Sequence, residues 1–320
     1  MSPIIEVTDL VKRYRKAEHN AVDGISFSVQ EGSFFAFLGP NGAGKTTTIS
    51  ILTTTLSKTS GTVKIAGHDL DAEPEKVRRS IGVIFQQPSL DLNLTAEENI
   101  RLHAVLYGLY PFRPFFGMMP QAYKDKVHEL ARVVGISKEL FHPIKTFSGG
   151  MKRKLEIIRS LIHNPHVLFL DEPTSGLDPV SRKNLWDYIQ NVRRENKTTI
   201  FLTTHYLEEA EEAEEVSIIN HGKIVTHGTP DKIKQELVEE YITVDSAAQP
   251  ALLKELTAKK LKHEKRADGS IKIDLQKKHP QEVIQKIHTK LSTLKIHTPT
   301  LEEAYVEIVA NSEHNHHARS

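Results

Sequence analysis

Apolar positions along this chain switch between two periods, and the switches mark out its elements. Residues 4–10 (IIEVTDL) and 21–29 (AVDGISFSV) alternate apolar and polar side chains, which predicts antiparallel-type edge strands. Phe34–Leu38 (FFAFL) and Ile81–Phe85 (IGVIF) are short apolar runs and predict buried strands. A helix is expected over 46–56 (TTTISILTTTL), followed by a strand over 62–67 (TVKIAG) that ends in a glycine turn.

From Thr95 to Ile162 no strand pattern stands out. Residues 95–109 and 123–136 carry helical periodicity, and Thr95 with Glu98 forms a capping-box signature at the start of the first. Strands return at His166–Glu172 (HVLFLDE), Thr198–Thr204 (TTIFLTT) and Glu215–Asn220 (EVSIIN), with helices beginning near Pro179 and Tyr206. Residues 221–233 predict a hairpin and a helix start at Pro230.

Beyond about Leu237 the texture changes. A strand (YITVDS), a helix from Gln249 to Lys262, a hairpin turning at Asp268-Gly269, a helix from Pro280 to Leu294 and a strand (LKIHT) follow, and Thr300 with Glu303 caps a last helix. The order β-α-β-β-α-β predicts a small ferredoxin-like appendage. The expected division is therefore an α/β domain over 1–236 with a helical insert at about 95–163, an α+β accessory domain over 237–310, and a disordered tail over 311–320. The histidines of that tail (His314, His316, His317) are read as part of a disordered terminus and not as a metal site.

Composition narrows the classes. At 320 residues, 38% hydrophobic and 26% charged, the chain suits a globular protein of one large or two ordinary domains. Its 42 Lys and Arg against 41 Asp and Glu give no bulk pull toward nucleic acid or anionic lipid. The absence of cysteine excludes disulfides, thiolate metal sites and thiol catalysis, and suits a reducing cytosol. No run reaches the roughly 18–20 apolar residues of a membrane span. The N-terminus reads as a strand and not as a signal peptide, so any membrane role must come through a partner.

Candidate chemistry begins at Gly39–Thr46, GPNGAGKT, which fits G-x-x-x-x-G-K-[ST] at every fixed position and lies between the FFAFL strand and a helix. Backbone N–H groups of Gly39, Pro40–Ala43 and Gly44 (proline excepted) can cradle phosphates at the positive end of the helix. Lys45 adds a cation, and the Thr46 hydroxyl can ligate Mg2+. A nucleoside triphosphate is the expected ligand. At the end of the strand HVLFLDE, Asp171 can hold Mg2+ through its water shell, and Glu172 can orient and polarise an attacking water. Ser148-Gly149-Gly150 opens an amphipathic helix, which on its own reads as an N-cap or as a second anion-binding helix end.

Placed upstream of that strand, FSGGMKRKLEIIRSL (Phe147–Leu161) resembles the LSGGQ signature of the ATP-binding-cassette (ABC) family, and the resemblance extends over roughly the first 235 residues. It implies a P-loop NTPase cassette: a mixed sheet core, an antiparallel β subdomain and a helical insert. It also implies roles by position. GPNGAGKTT resembles the Walker A motif, with Lys45, Thr46 and Thr47 at its phosphate and Mg2+ contacts. Gln86 matches the Q-loop glutamine that touches Mg2+, with Gln87 next to it as an alternative. Asp171 and Glu172 match the Walker B aspartate and catalytic glutamate. Ser175–Asp178 matches the D-loop, with Asp178 near nucleotide. His205 matches the switch histidine that contacts the γ-phosphate, and Tyr14 the aromatic that stacks on adenine.

The same resemblance implies ATP and Mg2+ as cofactors and a homodimer closing head to tail around two nucleotides. Ser148, Gly149 and Gly150 of one subunit would complete the other's site. SGGM with a basic run, TTHYLEEAEE and Pro299–Tyr305 (PTLEEAY) are similar to the drug-resistance exporters of the ABC-2 group, whose cassettes work with a separately encoded membrane subunit at the cytoplasmic face. The chain departs from the family's common form at Phe147 and Met151. It departs again in the aromatic stretch Tyr107–Gln121, read either as a contact surface or as a connector with its aromatics tucked inward. A rival class is a soluble ABC-type ATPase of ribosomes or DNA. Against it stand the single phosphate loop and the lack of a sustained heptad run.

Overall fold

The computed structural model describes residues 3–85, 89–175, 177–204, 206–237, 240–276, 278–298, 300–306 and 308. They form two compact units, divided between His227 and Gly228.

The first unit opens with β1 (Ile5–Lys12) and β2 (Val22–Val29), then β3 (Phe34–Leu38), α1 (Lys45–Leu52), β4 (Ser60–Ile65) and β5 (His68–Asp69). Next come α2 (Pro74–Ser80) and β6 (Ile81–Ile84), and then the insert with α3 (Ala96–Leu106), α4 (Gln121–Val134) and α5 (Gly149–Leu161). β7 (Val167–Asp171), α6 (Pro179–Asn196), β8 (Thr199–Thr203), α7 (Leu207–Ala210), β9 (Glu215–Asn220) and β10 (Lys223–Gly228) complete it.

The strands make two sheets. One is antiparallel in the order β2-β1-β4-β5. β1 is therefore interior and not the expected edge: Ile5 faces Val29 on one side and Ile65 on the other. Alternation reports a half-buried face, and it is blind to how many neighbours a strand has. The second sheet has the order β10-β9-β3-β8-β7-β6, with β9, β3, β8, β7 and β6 parallel. Its core strands β3, β7 and β8 are buried at every residue, as their unbroken apolar runs predict. Phenylalanines join the two sheets. Phe27 of β2 stacks on Phe35 (ring centroids 5.5 Å), which stacks on Phe201 (5.2 Å), which meets Phe169 (5.2 Å). Phe34, one residue earlier on β3, faces the other way and meets Trp186 of α6 (5.6 Å).

This order positions the site. Thr203, last in β8, registers with Phe37 of β3 on one side and Asp171 of β7 on the other. Parallel strands put their C-terminal ends on one edge, where ligands of open α/β sheets bind. α1 is shorter than the threonine-rich run suggested. Thr53 Oγ1 donates to Ile49 O (2.8 Å), and the N–H and hydroxyl of Thr55 donate to Ser50 O (2.9 and 2.8 Å), so local hydroxyl bonds close the helix.

In the insert the capping box forms as its spacing predicts: Glu98 N donates to Thr95 Oγ1 (3.2 Å) and Thr95 N to Glu98 Oε2 (2.8 Å). The aromatic stretch divides between its two readings. Phe116 tucks against Tyr123, His128 and Phe141, and Met119 is buried, while Phe112, Phe115 and Met118 are exposed. Arg101 anchors the segment by donating to Arg113 O (2.8 Å) while pairing with buried Glu97 (3.2 Å). Phe116→Ser is accordingly expected to cost about 1–3 kcal/mol of stability and Phe115→Ser less than about 0.5, measured by urea unfolding.

The second unit comprises α8 (Pro230–Leu237), β11 (Tyr241–Asp245), α9 (Gln249–Ala258), β12 (His263–Lys265), β13 (Ile271–Asp274), α10 (Pro280–Ile284) and β14 (Thr293–His297). Its antiparallel sheet runs β12-β13-β11-β14, the ferredoxin-like arrangement, over a core of Ile242, Val244, Leu252, Leu256, Ile271, Ile273 and Val283. α9 and α10 both stop short of the predicted Lys262 and Leu294. For α10 the cause is Glu255 of α9, whose carboxylate accepts from the N–H groups of His288 and Thr289 (2.8 Å each) and draws the chain out of helix.

Candidate functional site

The phosphate loop is held by close approach of backbone. A Cβ on Gly39 would lie 2.3 Å from Ile219 O, and one on Gly44, whose φ is 113°, 2.5 Å from Ala21 O. Neither position admits a side chain: packing requires glycine at Gly39, and packing and conformation both require it at Gly44. Gly222 N donates to Ala43 O (2.9 Å) and Ala43 N to Pro40 O (3.1 Å), while Asn41 and Gly42 stand exposed at the tip.

Lys45, first residue of α1, is buried. Its Nζ donates to Gly39 O (2.6 Å) and Pro40 O (3.1 Å), so the ammonium lies inside the loop. Burial pushes its pKa down, against the opposing pull of the Glu172 and Asp171 charges. A desolvated cation whose described partners are two neutral carbonyls gains a stronger, charge-assisted bond from an incoming polyanion. Thr46 is exposed beside it. Tyr14, just past β1, is about half exposed (45%), and its hydroxyl lies 3.2 Å from Thr47 Oγ1. The Lys12 ammonium lies over one face of this ring, 5.5 Å from its centroid, and the ring stands next to the first turn of α1.

Asp171 ends β7 and is buried, with Oδ1 accepting from Thr203 Oγ1 (2.5 Å). Burial raises its pKa, Glu172 adds to that, and Thr203, Lys45 and Arg153 oppose it. Glu172 follows with a φ of 46°, a left-handed conformation costly for a residue with a Cβ. Its N–H donates to Thr203 O (2.9 Å), and its carbonyl accepts from Arg153 Nη2 (3.3 Å), so the strained backbone is fixed on both sides. Thr46 and Asp171 offer a hydroxyl and a carboxylate, the hard oxygen donors that suit Mg2+. Among the described residues no group of three or more His, Cys, Asp or Glu forms a metal cage, so these two fit an ion held mainly by substrate phosphates and water.

Ser148 caps α5, its Oγ accepting from Met151 N (3.3 Å); Ser148 and Gly149 are exposed and Gly150 is half-buried. Asp178 caps α6, its Oδ1 accepting from Val180 N (3.1 Å) and Ser181 N (3.0 Å), so this carboxylate is engaged by its own helix. Gln86, Gln87 and His205 lie outside the described residues. Nearby in sequence, buried Glu209 accepts from the hydroxyls of Thr174 and Thr204 (2.6 Å to the latter), tying the segment after β7 to the end of β8.

Nothing in the residue pattern singles out Thr203, Glu209, Arg153 or Glu156. The threonine and glutamate look like ordinary strand-end and helix polar residues. An acid at Glu209 inside EEAEEAEE gives no sign that it alone is buried.

Residues 22–175 match the family model described as ABC transporter. The daunorubicin/doxorubicin resistance ATP-binding protein DrrA of Streptomyces peucetius is 40% identical over 234 residues, 73% of this chain and 67% of that protein. The bacitracin transport ATP-binding protein BcrA of Bacillus licheniformis is 37% identical over 236 residues, 73% and 72% of the two chains. Among solved structures, a dimeric ATP-binding cassette in a post-hydrolysis state with ADP and Pi superposes with a TM-score of 0.63 at 25% identity, covering 70% of this chain and 98% of that one.

Proposed function

The chain belongs to the ABC transporter family, as an ATP-binding subunit of the drug-resistance exporter type, and on that premise we propose that two copies close head to tail around two ATP molecules and hydrolyse them to drive export. Lys45 follows the loop after β3, and Asp171 and Glu172 stand at the end of β7 with only β8 between, so the cation and the two acids meet at one edge of the sheet, and that convergence supports the proposal most.

In this scheme the loop N–H groups from Gly39 to Gly44 and the Lys45 ammonium bind the β- and γ-phosphates, and Tyr14 stacks on the base. Thr46 and Asp171 would hold Mg2+, joined by Gln86; when bound, the ion neutralises phosphate charge and fixes the leaving group. Glu172 orients a water and takes its proton as the oxygen attacks the γ-phosphorus and the bond to the β-phosphate oxygen breaks. His205 steadies the γ-phosphate. Ser148, Gly149 and Gly150 of the second copy present their helix end to the same phosphate, and Asp178 lies at that interface by its position. Loss of the γ-phosphate removes the bridging charge, and the pair reopens.

No helix among the described residues is long and apolar enough to cross a membrane. A separately encoded membrane subunit supplies the pathway, with this chain peripheral at the cytoplasmic face. No nucleic-acid partner is needed. Full-length protein is expected to release phosphate from MgATP, and no turnover, alone or with the membrane subunit, would sink the proposal. Exposed Phe115 offers a surface for that subunit. Phe115→Ser is expected to weaken co-purification with the membrane subunit at unchanged stability, and unchanged association would remove this contact from the scheme.

A further inference from the structure

The helix that starts at Ser148 does more than present its N-terminus. Arg153, Glu156 and Arg159 recur every third residue along one face of α5. Arg153 and Glu156 are both buried, and Arg153 Nη1 pairs with Glu156 Oε2 (3.0 Å). The same guanidinium spans two segments of the site. Nη1 donates to Phe85 O (2.5 Å), Nε to Pro173 O (2.7 Å), and Nη2 to Asp171 O (3.4 Å) and Glu172 O (3.3 Å). Glu156 Oε1 accepts from Ser89 N (3.0 Å), and Arg159 donates to Ser89 O (2.6 Å) and to the Ser89 hydroxyl. One helix face therefore grips Phe85 and Ser89, on either side of residues 86–88, together with the backbone of Asp171, Glu172 and Pro173.

A charged helix face that lies on a protein surface is ordinarily solvated. Here two of its members are buried and satisfied by main-chain groups of the two loops nearest the site. A buried ion pair adds little net stability against apolar residues of the same volume, so stability alone is a weak reason for it. Its planar fork does give a fixed geometry: a shift of α5 cannot occur without pulling on the carbonyls of Phe85 and Glu172.

We propose that Arg153, paired with Glu156, is a positioning residue that links engagement of the Ser148 end of α5 to the placement of the Glu172 backbone. The link rests on the functional reading above. Closure of a second copy's nucleotide against Ser148 loads α5, and Arg153 passes that load to the strained residue that orients water. The communication is thus built into each subunit, from the half-site it lends to the half-site it owns.

Arg153→Lys keeps the charge but loses the fork, and an ammonium cannot span Phe85, Pro173 and Glu172 carbonyls together. In the full-length chain, kcat for ATP is expected to fall at least about tenfold while KM and nucleotide Kd move less than about threefold. With Glu172→Gln added, ATP-dependent dimers should persist, because closure precedes the link. Glu156→Gln retains shape and is expected to give a smaller loss in kcat with the same constancy of KM; it serves where Arg153→Lys does not fold. Unchanged kcat in both variants would overturn the link. So would a fall of kcat, affinity and Tm in step, which marks a purely structural role. A wild-type chain without turnover would instead overturn the functional reading, and this link with it.

Discussion

Glu172→Gln is expected to lower steady-state ATP hydrolysis by roughly 10²–10⁴-fold, the range a positioned general base contributes. The change removes a proton acceptor and leaves size and shape in place. The backbone of residue 172 is held by Thr203 O and Arg153, neither of which depends on the carboxylate, so the conformation with φ of 46° should survive. Nucleotide affinity is expected to stay within about threefold, because the side chain acts on water and not on the ground-state phosphates. Phosphate release and nucleotide titration on the same preparation separate the two. A variant with wild-type turnover would remove Glu172 from the chemistry.

Lys45→Ala should act at the earlier step. The Lys45 ammonium already lies desolvated inside the loop, with only the Gly39 and Pro40 carbonyls as described hydrogen-bond partners. Much of the desolvation that binding would otherwise require is therefore complete before a polyanion arrives. Hydrogen bonds to charged groups contribute about 1.5–3 kcal/mol each, so losing this one is expected to weaken ATP binding roughly 10- to 100-fold or more. Turnover at sub-saturating ATP should fall by at least that factor. Calorimetric titration with ATP measures it, and a thermal melt of the same sample separates lost binding from lost folding. Retained affinity would mean that the loop N–H groups alone hold the triphosphate.

Much of the fold is legible in the sequence because burial on two faces leaves an unmistakable mark. FFAFL is wholly apolar, VLFLD and TIFLT are apolar apart from their end residues, and each is a strand buried at every position. The capping boxes at Thr95 and Thr300 are local and form as their spacing demands. What depends on distant partners is less legible. β1 is interior because β4 pairs with it, and nothing in residues 4–10 encodes that second neighbour. α2 escapes notice because PEKVRRS contains one buried apolar residue, Val77, too few for any period. α10 ends early because of a carboxylate from α9.

The site divides the same way. The phosphate loop is contiguous, so GPNGAGKT carries its own meaning. Asp171 and Glu172 become its neighbours only through parallel pairing of β3, β8 and β7, although the acid at the end of an apolar run hints at it. Arg153 and Glu156 gave no hint, since a charged pair three apart on a helix ordinarily belongs to solvent. Only the burial of both, the carbonyls that Arg153 donates to and the Ser89 N–H that Glu156 accepts from mark them out.

The central claim is that Gly39–Thr46 forms half of a site and that Ser148–Gly150 of a second copy forms the other half. The most direct measurement is the solution mass of full-length Glu172→Gln by light scattering, with and without MgATP, beside the same chain carrying Ser148→Arg. A shared site predicts an ATP-dependent doubling of mass in Glu172→Gln. It also predicts that Ser148→Arg, at the exposed start of α5, abolishes the doubling while each monomer still binds ATP. Monomers with ATP bound in the first variant, or dimers that persist in the second, would contradict it.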